Sequence, residues 1–336
     1  MSVALAAHRP EFLPALRCTR LSPTAWAPQA DSVLGGLGWN VAAPGLAHVD
    51  MPVLSPQGPC IDAWSGGAAL RSGGSGAVHW RDDGRWAFGH VDLPDADGHL
   101  EDLTYRAYLD VFAALRDSGR PHLLRLWNYL PRINADGGGL ERYRQFNIGR
   151  QRAFIDAGYD AFEGAPAACA LGTLGTSGTQ GGGLGIRFLA GSTAPRPLEN
   201  PRQVPAYRYS TAFGPRSPTF SRAALVDAGG GQVALFVSGT ASIVGETTVH
   251  AGDVRAQVQE TLRNLQAVIT AARAQCTAAF DLADLQCSIY LRNAADSAAV
   301  AGIFAPPGTV VLQADICRSD LLVEIEGHAI APGVLR

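Results

Sequence analysis

Hydrophobic and polar positions in the last third of the chain predict a regular succession of strands and helices. The apolar runs at 233–237 and 287–291 predict two buried strands, and the first is expected to enter a turn at 238–241. Between them, apolar residues recur at helical spacing behind a possible N-cap at Asp253. They are Val254, Val258, Leu262, Leu265 and Ile269. A short Ala-rich helix near 296–304 and a closing pair of strands complete the order strand, helix, strand, helix, strand, strand.

The closing segment, 310–329, reads VVLQADICRSDLLVEIEGHA and predicts two short strands joined by a turn at 318–320. In the second strand, 322–326, apolar and acidic residues alternate, which gives a half-buried strand one acidic face. A carboxylate fixed on a strand is well placed to exchange a proton with a substrate. A solvated edge strand with two acids has the same pattern, so this segment alone leaves both interpretations open.

A similar succession occurs earlier in the chain. The residues at 86–90 and 123–127 predict strands, and the helix between them carries Tyr105, Leu109, Phe112 and Leu115 on one face. A helix in LERYRQFNIGRQRAF and closing strands in ACALGTLG and GLGIRFLAG follow. Residues 82–192 are therefore predicted to be a diverged copy of the C-terminal unit. Gly185-Ile186-Arg187 replaces the acidic Glu-Ile-Glu there, so one working site is expected, at the interface of the copies.

These patterns predict an α+β fold with two tandem units of mixed sheets packed against helices. The predicted regions are an N-terminal extension (1–80), a diverged unit (81–195), a linker (196–222) and a C-terminal unit (223–336). The extension is rich in Pro, Gly and Ala and is expected to form short strands and long connections around the core. The Gly-rich run at 172–185 lacks a following GK[ST] and precedes a strand, so a hairpin loop is expected, not a phosphate loop.

Composition excludes several classes of protein. The net charge is −3 with interspersed signs, which does not indicate a nucleic-acid partner. The sequence contains no lysine, which excludes Schiff-base chemistry through a lysine. Its six cysteines are scattered without a CxxC pair, and no spacing implies a metal or organic cofactor. Without an apolar run of membrane-spanning length or a signal peptide, a cytoplasmic protein is expected.

The linker and the helix before it concentrate arginine and tyrosine. Arginine forks bind carboxylates in a bidentate way and phenols supply directed hydrogen bonds, so this cluster suits a planar dicarboxylate. Any single arginine of the linker could equally face water. The linker residues are Arg202, Tyr207, Arg208, Tyr209, Arg216 and Arg222, and the helix adds Arg142, Arg144, Asn147 and Arg150.

Two separated motifs resemble the RidA (YjgF-type) family, namely SGTASIVGETTVHAGDVRAQVQETLRNLQAVITAA and VEIEGHA. This resemblance implies small-molecule sites between subunits of a trimer, with the first Glu of the closing motif, Glu324, in the site. The carboxylate-binding arginine of that family falls near Thr309 and is absent, which argues against imine hydrolysis.

Five ordered motifs resemble the chorismatase family more closely: RLWNYLPRIN, ERYRQFNIGR, VPAYRYSTAFGPRSPTFSRA, FVSGTASIVGETTVHAGDVRAQVQETLRNL and CRSDLLVEIEGHA. The resemblance implies release of pyruvate from chorismate, with Glu324 as the catalytic residue. Cys317 and Gly239 match the branches of the family that form 3-hydroxybenzoate, alone or together with 4-hydroxybenzoate. The resemblance to the branch that forms both products implies a role in the synthesis of pigments or ubiquinone precursors. Chorismate hydrolysis to a non-aromatic diol, RidA-like imine hydrolysis and ligand binding by an inactive site are the alternatives.

The residues fit this chemistry. Cleavage of a vinyl ether requires protonation of its terminal carbon, and a Glu on an apolar strand has the raised pKa that such an acid needs. Cys317 is expected to steer aromatisation once the ring 4-hydroxyl has displaced pyruvate. A monomer or a homotrimer, without a membrane or nucleic-acid partner, is expected. Substrate binding is expected from Arg150, Tyr207, Arg208, Tyr209, Arg216, Gly239, Asn147 and Arg142.

Overall fold

The computed structural model describes residues 15–26, 32–43, 45–55, 60–67, 69–95, 99–173 and 183–336. Most of the Gly-rich run lies outside these residues. The helices are α1 (Pro23–Trp26), α2 (Leu100–Ser118), α3 (Arg142–Asp156), α4 (Val254–Gln275) and α5 (Ser297–Ala301). Within the described part of the chain, no helix is both long and apolar enough to cross a bilayer.

The strands before the linker are β1 (Arg17–Leu21), β2 (Gly35–Trp39), β3 (Leu46–Val49), β4 (Val53–Ser55), β5 (Cys60–Ser65), β6 (Arg71–Ser75), β7 (Val78–Asp82), β8 (Trp86–Pro94), β9 (His122–Pro131), β10 (Ala167–Thr173) and β11 (Gly183–Gly191). Those that follow are β12 (Arg196–Leu198), β13 (Ala223–Gly229), β14 (Gln232–Ala241), β15 (Ile243–Val244), β16 (Thr247–Thr248), β17 (Gln286–Leu291), β18 (Val310–Gln313), β19 (Asp315–Ile316) and β20 (Val323–Pro332).

Two seven-stranded mixed sheets have the same construction. The first has the order β6-β7-β8-β11-β9-β10-β19 and the second the order β12-β13-β14-β20-β17-β18-β4. In each sheet the fifth and sixth strands are parallel, and the other described neighbours are antiparallel. The predicted α+β fold with two tandem copies is confirmed by this agreement. The boundaries predicted between the four regions of the chain stay predictions. Strand β7 extends across the predicted boundary between residues 80 and 81.

Helices cover one face of each sheet. α2 packs on β6, β7 and β8 and against α3, while α4 packs on β14 and β20. The predicted N-cap is confirmed, because the Asp253 carboxylate accepts a hydrogen bond from the Ala256 N–H at 3.0 Å. Val258, Leu265 and Ile269 are buried as the helical spacing predicts.

The opposite faces of the two sheets meet in a shared core, which the N-terminal sheet β1-β5-β2-β3 completes. Trp64 of β5 lies with its ring centroid 6.1 Å from that of Trp127 and 5.8 Å from that of Phe236, one on each large sheet. A further link is the Ser238 hydroxyl, which accepts from the Ala168 N–H at 2.9 Å. The acidic face of β20 therefore points into the protein and not into water.

Two local predictions were wrong. The closing strands do not form a pair, because β17 lies between β18 and β20. The alternative of a solvated edge strand is excluded for the same reason, since β20 pairs with β14 on one side and β17 on the other. In addition, the predicted turn at 238–241 is part of β14, where a register shift between Val237 and Thr240 marks a bulge.

Candidate active site

Two glutamates of β20 point toward the interface of the sheets. Glu324 and Glu326 are each 3% exposed, although they belong to an ionisable residue type that is rarely buried without a partner. Glu326 forms an ion pair with Arg125 of β9 and accepts a hydrogen bond from the Tyr290 hydroxyl at 2.6 Å. Arg125 is 2% exposed, so this pair is fully enclosed. The Arg125 guanidinium thus lies near the carboxyl groups of both Glu324 and Glu326, but it is paired with Glu326.

Glu324 is consequently a weak acid. Burial raises the pKa of its carboxyl group to about 8, the charge of Glu326 adds to the effect, and Arg125 opposes it. At neutral pH the Glu324 carboxyl group is therefore protonated in most molecules. A protonated carboxyl group in a water-poor site can donate that proton to a bound substrate.

Gly239 makes room for this carboxyl group. It lies in the bulge of β14, on the strand next to Glu324. A Cβ atom at this position would overlap the Glu324 Oε1 atom and would lie 3.2 Å from the Cβ of Cys169. The absence of a side chain is therefore a steric requirement for the present position of the carboxyl group.

Glu324 and Gly239 lie in the wall of a cavity of about 310 Å³. This volume is at the lower end of the range for small-molecule sites, about 300–1,000 Å³. Both units and the linker contribute to the wall, as the repeat predicts for a site at the interface of the copies. The lining residues are Glu141, Tyr143 and Arg144 of the first unit, Tyr209, Ala212, Phe213, Pro218, Phe220 and Arg222 of the linker, and Gly239, Ala241, Ile243, Cys317, Arg318, Ser319, Asp320 and Glu324 of the second.

Cys317 lies in the same wall, in the segment 314–322 between β18 and β20, which we call the cysteine loop. Burial raises the pKa of its thiol to about 12, with Glu324 as the next cause. The thiol is therefore protonated at neutral pH and can act as a weak donor or a small polarisable contact. A thiolate nucleophile is not what this environment favours.

Arginines form the polar part of the cavity. The Arg318 guanidinium stacks on Phe213 at 4.0 Å from the ring centroid and donates to the Glu246 carbonyl at 2.8 Å. Arg222 donates to the Tyr209 hydroxyl at 2.8 Å, and its buried Nε has no hydrogen-bond partner among the described residues. These contacts orient two cations that retain free donors, as binding of an anion requires.

The predicted binding residues of α3 lie outside the cavity wall. Arg142 is paired with Asp95 and donates to the Pro131 carbonyl at 3.0 Å. Asn147 and Arg150 are both 1% exposed, and the Arg150 guanidinium donates to the Asn147 side-chain oxygen at 3.1 Å. Arg150 lies close enough to Tyr143 of the cavity to oppose the rise that burial causes in the pKa of that phenol.

Of the four linker residues predicted to bind substrate, Tyr209 lines the cavity, whereas Tyr207, Arg208 and Arg216 do not. Arg208 and Arg216 have exposed side chains. Tyr207 is half-buried, with the Arg208 guanidinium 5.7 Å from its ring centroid. The structure thus brings together Glu324, Cys317, Gly239 and Tyr209.

Several residues of the cavity were not predicted as site residues. Arg318 and Tyr143 directly follow Cys317 and Arg142 in the motifs CRSD and ERYRQF, so their positions beside predicted residues were the available signal. Arg144 and Arg222 were noticed within the arginine clusters but not selected. Composition cannot distinguish these four from Arg208 or Arg216, because side-chain direction depends on the fold.

Comparisons with known proteins agree with this arrangement. The family described as "Chorismatase FkbO/Hyg5-like, N-terminal" matches residues 62–190. A 3-hydroxybenzoate synthase from Streptomyces hygroscopicus is 35% identical over 300 residues, 84% of this chain and 85% of the relative. A chorismatase from Streptomyces rapamycinicus is 38% identical over 278 residues, 79% of this chain and 81% of the relative. A crystal structure of a chorismatase matches with a TM-score of 0.83 and 31% identity, over 94% of this chain and 99% of that one. The chain therefore belongs to the chorismatase family.

Proposed function

We propose that this enzyme converts chorismate to 3-hydroxybenzoate and pyruvate, with Glu324 as the general acid. The observation that carries the proposal is a buried, protonated carboxyl group in the wall of a cavity that also holds arginines. Chorismate is a compact dianion with a vinyl ether, so it needs both features. The names of the similar enzymes from Streptomyces support the same substrate.

In the first step, Glu324 protonates the terminal methylene carbon of the enolpyruvyl group. The resulting oxocarbenium ion makes pyruvate a leaving group. A positioned general acid contributes about 10²–10⁴-fold to the rate of such a step. The rise in pKa caused by burial keeps the acid protonated near neutral pH, which a carboxyl group in water would not be.

In the second step, the ring 4-hydroxyl displaces pyruvate from the adjacent ring carbon and gives an epoxide-like intermediate. The hydroxyl proton that this closure releases replaces the proton that Glu324 has donated. One C–O bond of the intermediate then breaks, and the oxygen takes up a proton as the ring carbon loses one, which gives the phenol without a net change in protons. Hydroxybenzoate and pyruvate together contain all the atoms of chorismate, so no water is consumed.

We assign Cys317 to the ring-opening step, because its protonated thiol shares the cavity wall with Glu324. In its absence, water is expected to intercept the intermediate and give the non-aromatic diol. Arg318, Arg222 and Arg144 are the cations of the wall and are assigned to the two substrate carboxylates. The predicted Arg142, Arg150, Arg208 and Arg216 are not included in this assignment, because they do not line the cavity.

The proposal is tested by incubating the purified protein with chorismate and separating the products by chromatography. Pyruvate with an equal amount of 3-hydroxybenzoate, alone or beside 4-hydroxybenzoate, is the expected result. Pyruvate with the diol would retain the cleavage step and remove the aromatising role of Cys317. No pyruvate from wild-type protein would refute the proposed function.

A further inference from the structure

We propose that Arg292 is a positioning residue that holds the cysteine loop and thereby sets the product of the reaction. Arg292 directly follows β17 and does not line the cavity. The proposal extends the function proposed above, because it gives a reason for the position of Cys317 and Arg318 relative to Glu324.

The Arg292 guanidinium binds three carbonyl groups of the loop. Its Nη2 donates to the carbonyls of Ile316 at 3.2 Å and Arg318 at 2.9 Å, which are the residues on either side of Cys317. Its Nε donates to the Leu321 carbonyl at 2.9 Å. A planar guanidinium with five N–H donors can serve several acceptors at once, whereas the ammonium group of lysine has three donors at one point.

An ion pair fixes the guanidinium itself. Its Nη1 donates to the Asp315 Oδ1 atom at 2.6 Å, and the Arg292 side chain is 18% exposed. The backbone N–H of Arg292 also donates to the Leu322 carbonyl at 3.0 Å, just before β20 begins. The loop is therefore tied to the end of β17 at both of its ends and in its middle.

The same guanidinium reaches the opposite wall of the cavity. Its Nη2 lies 3.2 Å from the Asn134 side-chain oxygen, and the Asn134 amide donates to Glu141 at 3.3 Å. Glu141 lines the cavity and accepts from Arg144 at 3.2 Å. Arg292 thus connects the loop of the second unit with the wall that the first unit provides.

Other contacts hold the two ends of the loop: β19 pairs with β10 at its start, and Gln257 binds its end. The Gln257 amide donates to the Asp320 carbonyl at 2.9 Å and accepts from the Leu322 N–H at 2.8 Å. Loss of the Arg292 contacts is therefore expected to loosen the segment around Cys317, while β19 stays paired with β10 and the start of β20 stays in place. Local opening of this kind costs less free energy than global unfolding.

The first test measures the loop without turnover. The rate of Cys317 alkylation is compared in wild-type protein and the Arg292→Lys variant by peptide mass spectrometry. Arg273→Lys is the matched control, because Arg273 donates to the Phe280 carbonyl and pairs with Asp281 at the far end of α4. We expect alkylation to be several-fold faster in Arg292→Lys and unchanged in Arg273→Lys. Equal rates in all three proteins would refute the positioning role.

The second test measures products. In Arg292→Lys we expect kcat to fall by about 10- to 100-fold, since displacements of about 1 Å in a site have effects of this size. We also expect the diol to increase relative to hydroxybenzoate, and added guanidinium to restore the wild-type ratio in Arg292→Ala. A fall in kcat with an unchanged product ratio and no rescue would contradict the proposal.

Asp315→Asn is a milder second variant in case replacement of Arg292 prevents folding. It leaves the carbonyl contacts in place and is expected to change both readouts in the same direction by a smaller factor. If Arg292→Lys does not fold and Asp315→Asn has the wild-type alkylation rate and product ratio, the proposal is contradicted. The two proposals fail separately: a wild-type protein that releases no pyruvate refutes the function, whereas alkylation rates test the loop in either case.

Discussion

Replacement of Glu324 by glutamine tests the central claim about the site, namely that a buried carboxyl group is kept protonated. Its pKa is about 8 in the folded protein, against an ordinary value of 4.5. Because the folded value is higher, the contribution of this group to stability is full below pH 4.5 and is lost as the pH rises through 8. Glutamine has the same shape and does not titrate, so the variant lacks this component.

The size of this stability difference follows from the shift in the pKa of Glu324. Each pH unit between the two pKa values changes the free energy of unfolding by about 1.4 kcal/mol. Between pH 5 and pH 8 the wild-type protein is therefore expected to lose about 3–4 kcal/mol of stability relative to Glu324→Gln. All other titrating groups are common to both proteins and largely cancel in this difference.

The measurement is urea unfolding of both proteins at pH 5, 6, 7 and 8. A difference in free energy of unfolding that stays constant across this range would refute the claim that Glu324 is protonated in the folded state. Activity gives an independent reading. For wild-type enzyme, kcat/KM is expected to fall about tenfold for each pH unit above 8, and the variant is expected to release no pyruvate.

Three further substitutions test the surroundings of Glu324. Cys317→Ala is expected to shift the products from hydroxybenzoate toward the diol, which chromatography of the reaction mixture detects; an unchanged ratio would remove the thiol from the mechanism. Gly239→Ala places a methyl group on the Glu324 carboxyl group, so kcat is expected to fall by about 10²-fold. Gly302→Ala, where a Cβ meets nothing closer than 3.5 Å, is the control and should keep wild-type kcat. Glu326→Gln removes the negative charge that raises the pKa of Glu324, so the fall of kcat/KM should begin at a lower pH than in wild-type enzyme; an unmoved pH profile would show that burial alone sets this pKa.

The sequence was most informative where periodicity is strong. The spacing of Val258, Leu265 and Ile269 predicted α4 and its buried face, and the alternation around Glu324 predicted a strand with both acids on one side. The repeat of strand and helix predicted two matching sheets. These features could be predicted because they depend on the spacing of residues along the chain, which the sequence shows directly.

Features that depend on contacts between distant residues could not be predicted in the same way. Arg142 and Arg144 are two positions apart on α3, yet the first is enclosed with Asp95 and the second lines the cavity. No local pattern separates them, because the difference arises from what packs against the helix. The central position of β20 was missed for a similar reason, since β17 is brought between β18 and β20 by the fold.

One outer strand of each large sheet comes from outside the unit that it completes. β19, which follows β18 of the second sheet, pairs with β10 at the edge of the first, and β4 from the N-terminal region pairs with β18 at the edge of the second. An isolated C-terminal unit would lack β4 and leave the β18 edge open, and open edges promote aggregation. The halves are therefore expected to unfold in one cooperative transition and to remain associated after a single proteolytic cut in the linker.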